Sequence, residues 1–198
     1  MPAFAELAAA IGKQLPQANT FNSLIRKEFS MPDMLEKALQ LRSGLRAWFN
    51  SDRHLRSLGD GDATRNSRLK KAFRDNWDDR VGNEKFGGVW SIDKAKKNDR
   101  HPASKKALLI GRENWTGEVA KVEHAVPVNV LFGLFWNAET PDAMQAVVDA
   151  YAVAVVAKEE DPLLNSHRLR SEMPIGWKPG DDPLARWKTV GIEVPGLC

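Results

Sequence analysis

The chain has 198 residues, 42% hydrophobic and 28% charged, a balance that argues against disorder and for a buried core. Its one cysteine, Cys198, excludes an intrachain disulfide framework or a cysteine-based zinc site. The most apolar stretch, residues 125–136, is broken by Pro127 and Asn129 and is too short to span a bilayer. The opening Met-Pro-Ala-Phe-Ala-Glu lacks the basic start and apolar run of a secretory signal, so no membrane and a cytoplasmic setting are expected.

The first half reads as helices. Residues 3–14 form a short Ala-rich candidate. Ser30 can cap a stronger helix with Pro32 in its first turn, where a missing N–H costs little. There Met34, Ala38, Leu41, Leu45 and Trp48 fall at three- and four-residue steps and make one apolar stripe. Arg42, Arg46, Arg53 and Arg56 follow similar steps on another face. A third helix is expected from about Asp62 to Asp79, with Leu69, Phe73 and Trp77 as an i, i+4, i+8 row beside Arg65, Arg68, Lys70, Lys71 and Arg74. Residues 81–102, rich in Gly, Asn, Asp and Lys, read as a loop or connector.

The second half changes character. Residues 107–110 form a short strand candidate, followed by turn chemistry at Asn114 to Gly117. Residues 118–126 alternate: Ala120, Val122, His124 and Val126 share one face, and Val119, Lys121 and Glu123 the other. Residues 127–136 read as a largely buried helix. Thr140-Pro141-Asp142 starts another, with Met144, Val147, Val148 and Tyr151 inward. The unbroken apolar run 152–157 reads as a central strand covered on both faces. Asp161-Pro162 opens a short helix, and Asp182-Pro183 a last one that Gly191 can end. Residues 169–187 read as a C-terminal wrap that packs Trp177 and Trp187. The order predicts an α/β (or α+β) fold. A basic, mainly helical region 1–100 precedes an α/β region 101–198, with both open to forming one continuous domain. The strands at 118–126 and 152–158, joined by helices, predict a parallel, right-handed β-α-β unit. That arrangement would place Glu123-His124 near the acid run Glu159-Glu160-Asp161, at the carboxyl ends of the strands.

Charge is uneven along the chain. Residues 1–110 carry 21 Lys+Arg against 13 Asp+Glu, and residues 111–198 carry 8 against 13, balances of +8 and −5. Basic helices can track phosphates, with Trp48, Trp77 or Trp90 stacking on bases; equally, they can be a solvated face above a core row. The nucleic-acid contacts expected from this pattern are Arg42, Arg46, Arg53, Arg65, Arg68 and Lys71, joined by Arg168 and Arg170 as a phosphate clamp. His124 is either a general base or a core histidine with one hydrogen bond. His167 is a candidate general acid or an exposed polar residue. Glu123, Glu159, Glu160 and Asp161 are candidate ligands for Mg²⁺ or Mn²⁺, or a solvated turn and helix cap. No Gly-rich phosphate loop of recognised spacing and no serine or cysteine nucleophile motif is present.

Val122-Glu123-His124-Ala125-Val126-Pro127 resembles the opening of an HNH-type nuclease motif, with an acidic residue before a histidine and a proline after it. The resemblance implies that His124 activates water and Glu123 binds the metal, with Asn165 and His167 standing where that family has an orienting asparagine and a second ligand. The family has a second strand after the proline, where this sequence reads as helix. Three functions are carried forward: a metal-dependent nuclease of a defence or mobile-element system, a non-catalytic regulator that binds DNA, RNA or an acidic protein partner, and an enzyme acting on a small anion.

Overall fold

The apolar stripe on the first long helix decides what it packs against. In the computed structural model, which describes residues 34–54, 62–86 and 91–197, α1 (Met34–His54) buries Ala38, Leu41 and Leu45. α2 (Asp62–Trp77) lays Leu69, Phe73 and Trp77 into the same core. The expected helix at residues 3–14, Ser30, Pro32, Arg56 and Trp90 lie outside the described residues, as do the side chains of Arg53 and Arg65.

α2 continues without a break into a π-helical turn, Asp78–Gly82, where the N–H of Asn83 reaches the carbonyl of Asp78 five residues back. A single turn, α3 (Asn83–Phe86), follows, and then α4 (Ile92–Lys96), capped by the Ser91 hydroxyl. Much of the segment read as a loop is therefore helical. Gly82 and Asn83 are themselves helical, Gly87 and Gly88 lie outside the described residues, and the buried side chains of Val81 and Ala95 give each short turn something to dock on. Residues 107–110, read as a strand, belong to α5 (Lys105–Ile110), capped by Ser104, whose hydroxyl accepts the Ala107 N–H at 3.1 Å. Four apolar residues carry no period, and here the cap decides.

β1 (Ala120–His124), α6 (Val128–Asn137), α7 (Pro141–Ala150) and β2 (Val153–Ala157) form the centre. Thr140 caps α7 by accepting the Ala143 N–H at 3.2 Å, a contact type that contributes about 1 kcal/mol. β1 and β2 pair antiparallel, Ala120 opposite Ala157 and His124 opposite Val153, which overturns the expected parallel unit. The reason is the number of helices between the strands. One crossover helix would return the chain to the start of β1, but α6 and α7 form a hairpin and bring it back to the end it left. A one-residue parallel bridge, Ala103 with Val155, covers the other edge of β2, so β2 is central and wholly buried as expected.

The sheet is the middle layer. On one side the main core joins α1, α2, α6 and α7 with Val153, and so crosses the boundary between the two sequence regions. On the other side Ala154 and Val156 pack against the C-terminal wrap: Leu164 of α8 (Asp161–Ser166), then Leu169, Leu184, Trp187 of α9 (Ala185–Thr189), Ile192 and Val194. Ala95, Ala103, Ala107, Trp115, Ala120 and Val155 make a third cluster under α4 and α5. Among the described residues, no helix is long and apolar enough to cross a membrane.

Candidate functional site

Alternation along β1 sends His124 to the face of the main core and Glu123 to the opposite face. His124, 17% exposed at its side chain, places Nε2 2.9 Å from Oδ1 of Asp78, and its ring lies 5.7 Å from that of Tyr151. The same oxygen accepts the Tyr151 hydroxyl at 2.7 Å. A carboxylate oxygen that already takes a hydroxyl accepts here too, so Nε2 is the donor of this pair, and in the neutral ring Nδ1 keeps the lone pair. Among the described residues Nδ1 meets no protein partner. Burial, and then the charge and hydrogen bond of Asp78, push the Tyr151 hydroxyl well above its usual value.

Asp78 is the first residue of the π turn. In the sequence it falls among Asp75 and Asp79 and reads as part of a solvated face, yet it is 8% exposed. Trp77 before it keeps ordinary helical angles, φ −67° and ψ −48°, so Asp78 follows about 100° around from the Leu69–Phe73–Trp77 row, on the side that meets the strand end.

On the other face of β1, Arg186 is fully buried and uses all five of its N–H donors. Nε bonds the Ala125 carbonyl at 2.9 Å; Nη1 bonds those of Leu169 and Arg170 at 2.9 and 3.0 Å; Nη2 bonds Glu123 Oε1 at 2.8 Å and the His124 carbonyl. One planar group thus holds the backbone of Arg170 beside that of His124. The sequence offered no signal for Arg186 beyond its place in the C-terminal wrap.

The other expected site residues fall in several places. Arg168 and Arg170 are exposed, and neither guanidinium has a protein partner among the described residues. Arg168 has φ 59°, the left-handed conformation that favours glycine, and closes the end of α8 with the Leu169 N–H on the Leu164 carbonyl at 2.8 Å. His167 is exposed at that helix end, with Nδ1 2.9 Å from the Leu163 carbonyl, and shares no contact with His124. Asn165 is exposed on the same helix. Arg46 donates to the Trp136 carbonyl at 2.7 Å and sits over its ring at 5.6 Å, while Arg42 is half-buried, its pKa lowered by that burial and by the charge of Arg46. Arg68 and Lys71 are exposed on α2, and Lys71 pairs with Asp75.

The four carboxylates expected to hold Mg²⁺ or Mn²⁺ do not come together. Antiparallel pairing puts the 159–161 run beside Ala120, about 13 Å along the strand from His124. Glu123 is committed to Arg186 and Lys121, Asp161 to Lys121, and exposed Glu159 to Lys106. Glu160 is buried, accepting the Ser104 hydroxyl at 2.5 Å and the Ala157 N–H at 2.8 Å. Among the described residues no group of three His, Cys, Asp or Glu is placed to hold a metal. This donor set does not fit the ion that the HNH resemblance implies, and the carboxylate that faces His124 is Asp78, not Glu123. Comparison of the chain with protein-family models, with curated proteins and with solved structures finds no match.

Proposed function

We propose that this protein handles nucleic acid and that His124, oriented by Asp78, is an acid–base centre for phosphodiester cleavage. The observation that carries this reading is the 2.9 Å His124–Asp78 pair at a strand end that Arg186 ties to the backbone of Arg170. Asp78 holds the Nε2 proton and so leaves the Nδ1 lone pair to take one from water. The water oxygen bonds phosphorus as the ester P–O bond breaks, and the leaving oxygen takes a proton from solvent. Arg170 and Arg168 offset the charge that gathers on the phosphate, and the exposed cations of α2 extend the path of the strand.

Labelled single- and double-stranded DNA and RNA, incubated with and without Mg²⁺ or Mn²⁺, test the reading. Wild type cleaves, and His124→Ala and Asp78→Ala lower the rate at least a hundredfold while the protein stays folded. Cleavage that survives both substitutions would sink it.

A second reading, a non-catalytic regulator, has its own support. His124 is largely buried against Tyr151, and on α2 both Lys71 and Arg74 share Asp75. It predicts salt-sensitive retention of nucleic acid without turnover, with His124→Ala silent.

A further inference from the structure

The segment from Arg168 to Pro183 is irregular, yet it is pinned along its length. Arg186 holds the carbonyls of Leu169 and Arg170, and Asn129 donates to the Ser171 carbonyl at 2.8 Å. Met173 and Trp177 pack on the main core, and the Trp177 indole donates to the Asp182 carbonyl at 3.0 Å. Between those two anchors the chain makes a turn closed by the Trp177 N–H on the Pro174 carbonyl at 3.0 Å. Gly176 stands at its third position with φ 87°. The tip of the turn is Ile175, with its side chain fully exposed. A branched aliphatic is thus held out into water by a firm scaffold.

The charges around it are unequal in availability. Arg168, Arg170 and Lys178 have no side-chain partner among the described residues. Of the acids in the same stretch, Asp182 accepts the Leu184 N–H and pairs with Lys188, Asp181 accepts the Lys178 backbone N–H and keeps its charge, and exposed Glu172 has no partner among the described residues. What the segment offers a partner is three unpaired cations on either side of one apolar knob, with the carboxylate of Glu172 among them, its root bound to the strand end that carries His124.

We infer that this segment is the substrate-reading element of the site: Arg168, Arg170 and Lys178 lie along the phosphates of a nucleic-acid strand, and Ile175 wedges against an unstacked base. This rests on the reading of the protein as one that handles nucleic acid, and names what it grips. Apolar side chains inserted at a base step are an established way to open a stack, and unpaired cations supply the salt-sensitive part of the affinity.

The test is titration of a fluorescein-labelled oligodeoxynucleotide, single-stranded and as a duplex, with a 2-aminopurine reporter in a parallel sample. Wild type binds, and reporter emission rises as its base leaves the stack. Ile175→Ser weakens binding about tenfold, the factor expected from uncovering one aliphatic side chain, and abolishes the rise in emission. Arg168→Glu with Arg170→Glu flattens the salt dependence. The exposed positions leave the thermal midpoint of Ile175→Ser unchanged. If Ile175→Ser binds and unstacks as wild type does while wild type still cleaves, the inference falls and the functional reading stands. If wild type binds neither strand form, nor the same sequence as RNA, both fall. Loss of self-association in Ile175→Ser with DNA binding intact would assign the knob to a protein contact and overturn the inference.

Discussion

Asp78 and Glu160 are both buried carboxylates, 8% and 2% exposed, and both sit where one element passes into the next. Their partners differ in kind. Glu160 receives a serine hydroxyl and a backbone N–H, groups that do not titrate in the range proteins meet, and so it fastens the 102–104 segment to the exit of β2. Asp78 receives a phenol and an imidazole on one oxygen. A proton gained or lost by either ring is felt by the other through the shared carboxylate. Burial of an acid therefore says little about chemistry until its partners are known: one of these is a staple, and the other can redistribute charge.

The harshest way to break the comparison is at Arg186, which holds the strand end bearing His124 and touches nothing at Glu160. Arg186→Met leaves Glu123 without its buried partner and several carbonyls unpaired, and should cost about 3–5 kcal/mol in urea unfolding. Arg186→Lys should recover little of it, since one ammonium cannot reach both sides of the fork. A loss below about 1 kcal/mol would mean that the guanidinium is not what fixes the strand end. Glu160→Ala comes next. It strands the Ala157 N–H and the Ser104 hydroxyl and should cost about 1–3 kcal/mol, with no effect on cleavage or binding. An activity loss there would erase the distinction drawn above.

Two pH experiments sharpen it. Tyr151 is the only tyrosine, so tyrosinate absorbance reports this site alone. Its folded pKa is raised, so the stability it contributes is present below the ordinary phenol value of about 10 and is lost as pH rises beyond it. Asp78→Asn removes the negative charge and should bring the titration down towards that value. An unmoved titration would show that burial alone sets it. His101 is a titratable ring buried with no acid partner. Burial lowers its pKa, the Pro102 carbonyl opposes this, and the charge of Arg112 adds to it. The folded protein takes up this proton less readily than the unfolded chain, so stability is full above the ordinary imidazole value of about 6.5 and falls as pH drops below it. His101→Gln should flatten that acid limb of the stability curve; an identical slope would clear His101 of the role. The smallest effect is a gain. Arg168→Gly relieves the left-handed conformation and should stabilise the fold by about 0.5–1 kcal/mol in thermal unfolding while weakening nucleic-acid binding. Unchanged affinity would leave the strained arginine without a purpose.

The elements with a clear period were legible in the sequence. The stripe on α1, the Leu69–Phe73–Trp77 row, the alternation of β1, the Thr140 cap and the unbroken apolar run of β2 each state a burial pattern that one local geometry satisfies. The direction of β2 was not legible, because strand pairing depends on how two helices fold back on one another, and no local pattern records that. His124 was singled out, but its partner Asp78 was hidden, because an acid between Asp75 and Asp79 at a helix end reads as solvated until tertiary packing buries it. Tyr151 was read as an inward apolar residue, and its hydroxyl needed an acceptor that only the tertiary structure identifies. Arg186 had no signal beyond its place in the C-terminal wrap, since a buried arginine in a surface-like stretch is recognised only once five acceptors converge on it.

That convergence also sets an order in time. Arg186 lies 62 residues beyond His124, so a ribosome adding about 5–20 residues per second leaves the strand end without its clamp for roughly 3–12 s after His124 is made. The helices that bury the main core come from earlier in the chain and can pack during that interval. The main core's helices thus precede the wrap that covers the other face of the sheet, and a chain stopped before Arg186 would leave Ala154 and Val156 without Trp187, Ile192 and Val194 and the strand end without its clamp.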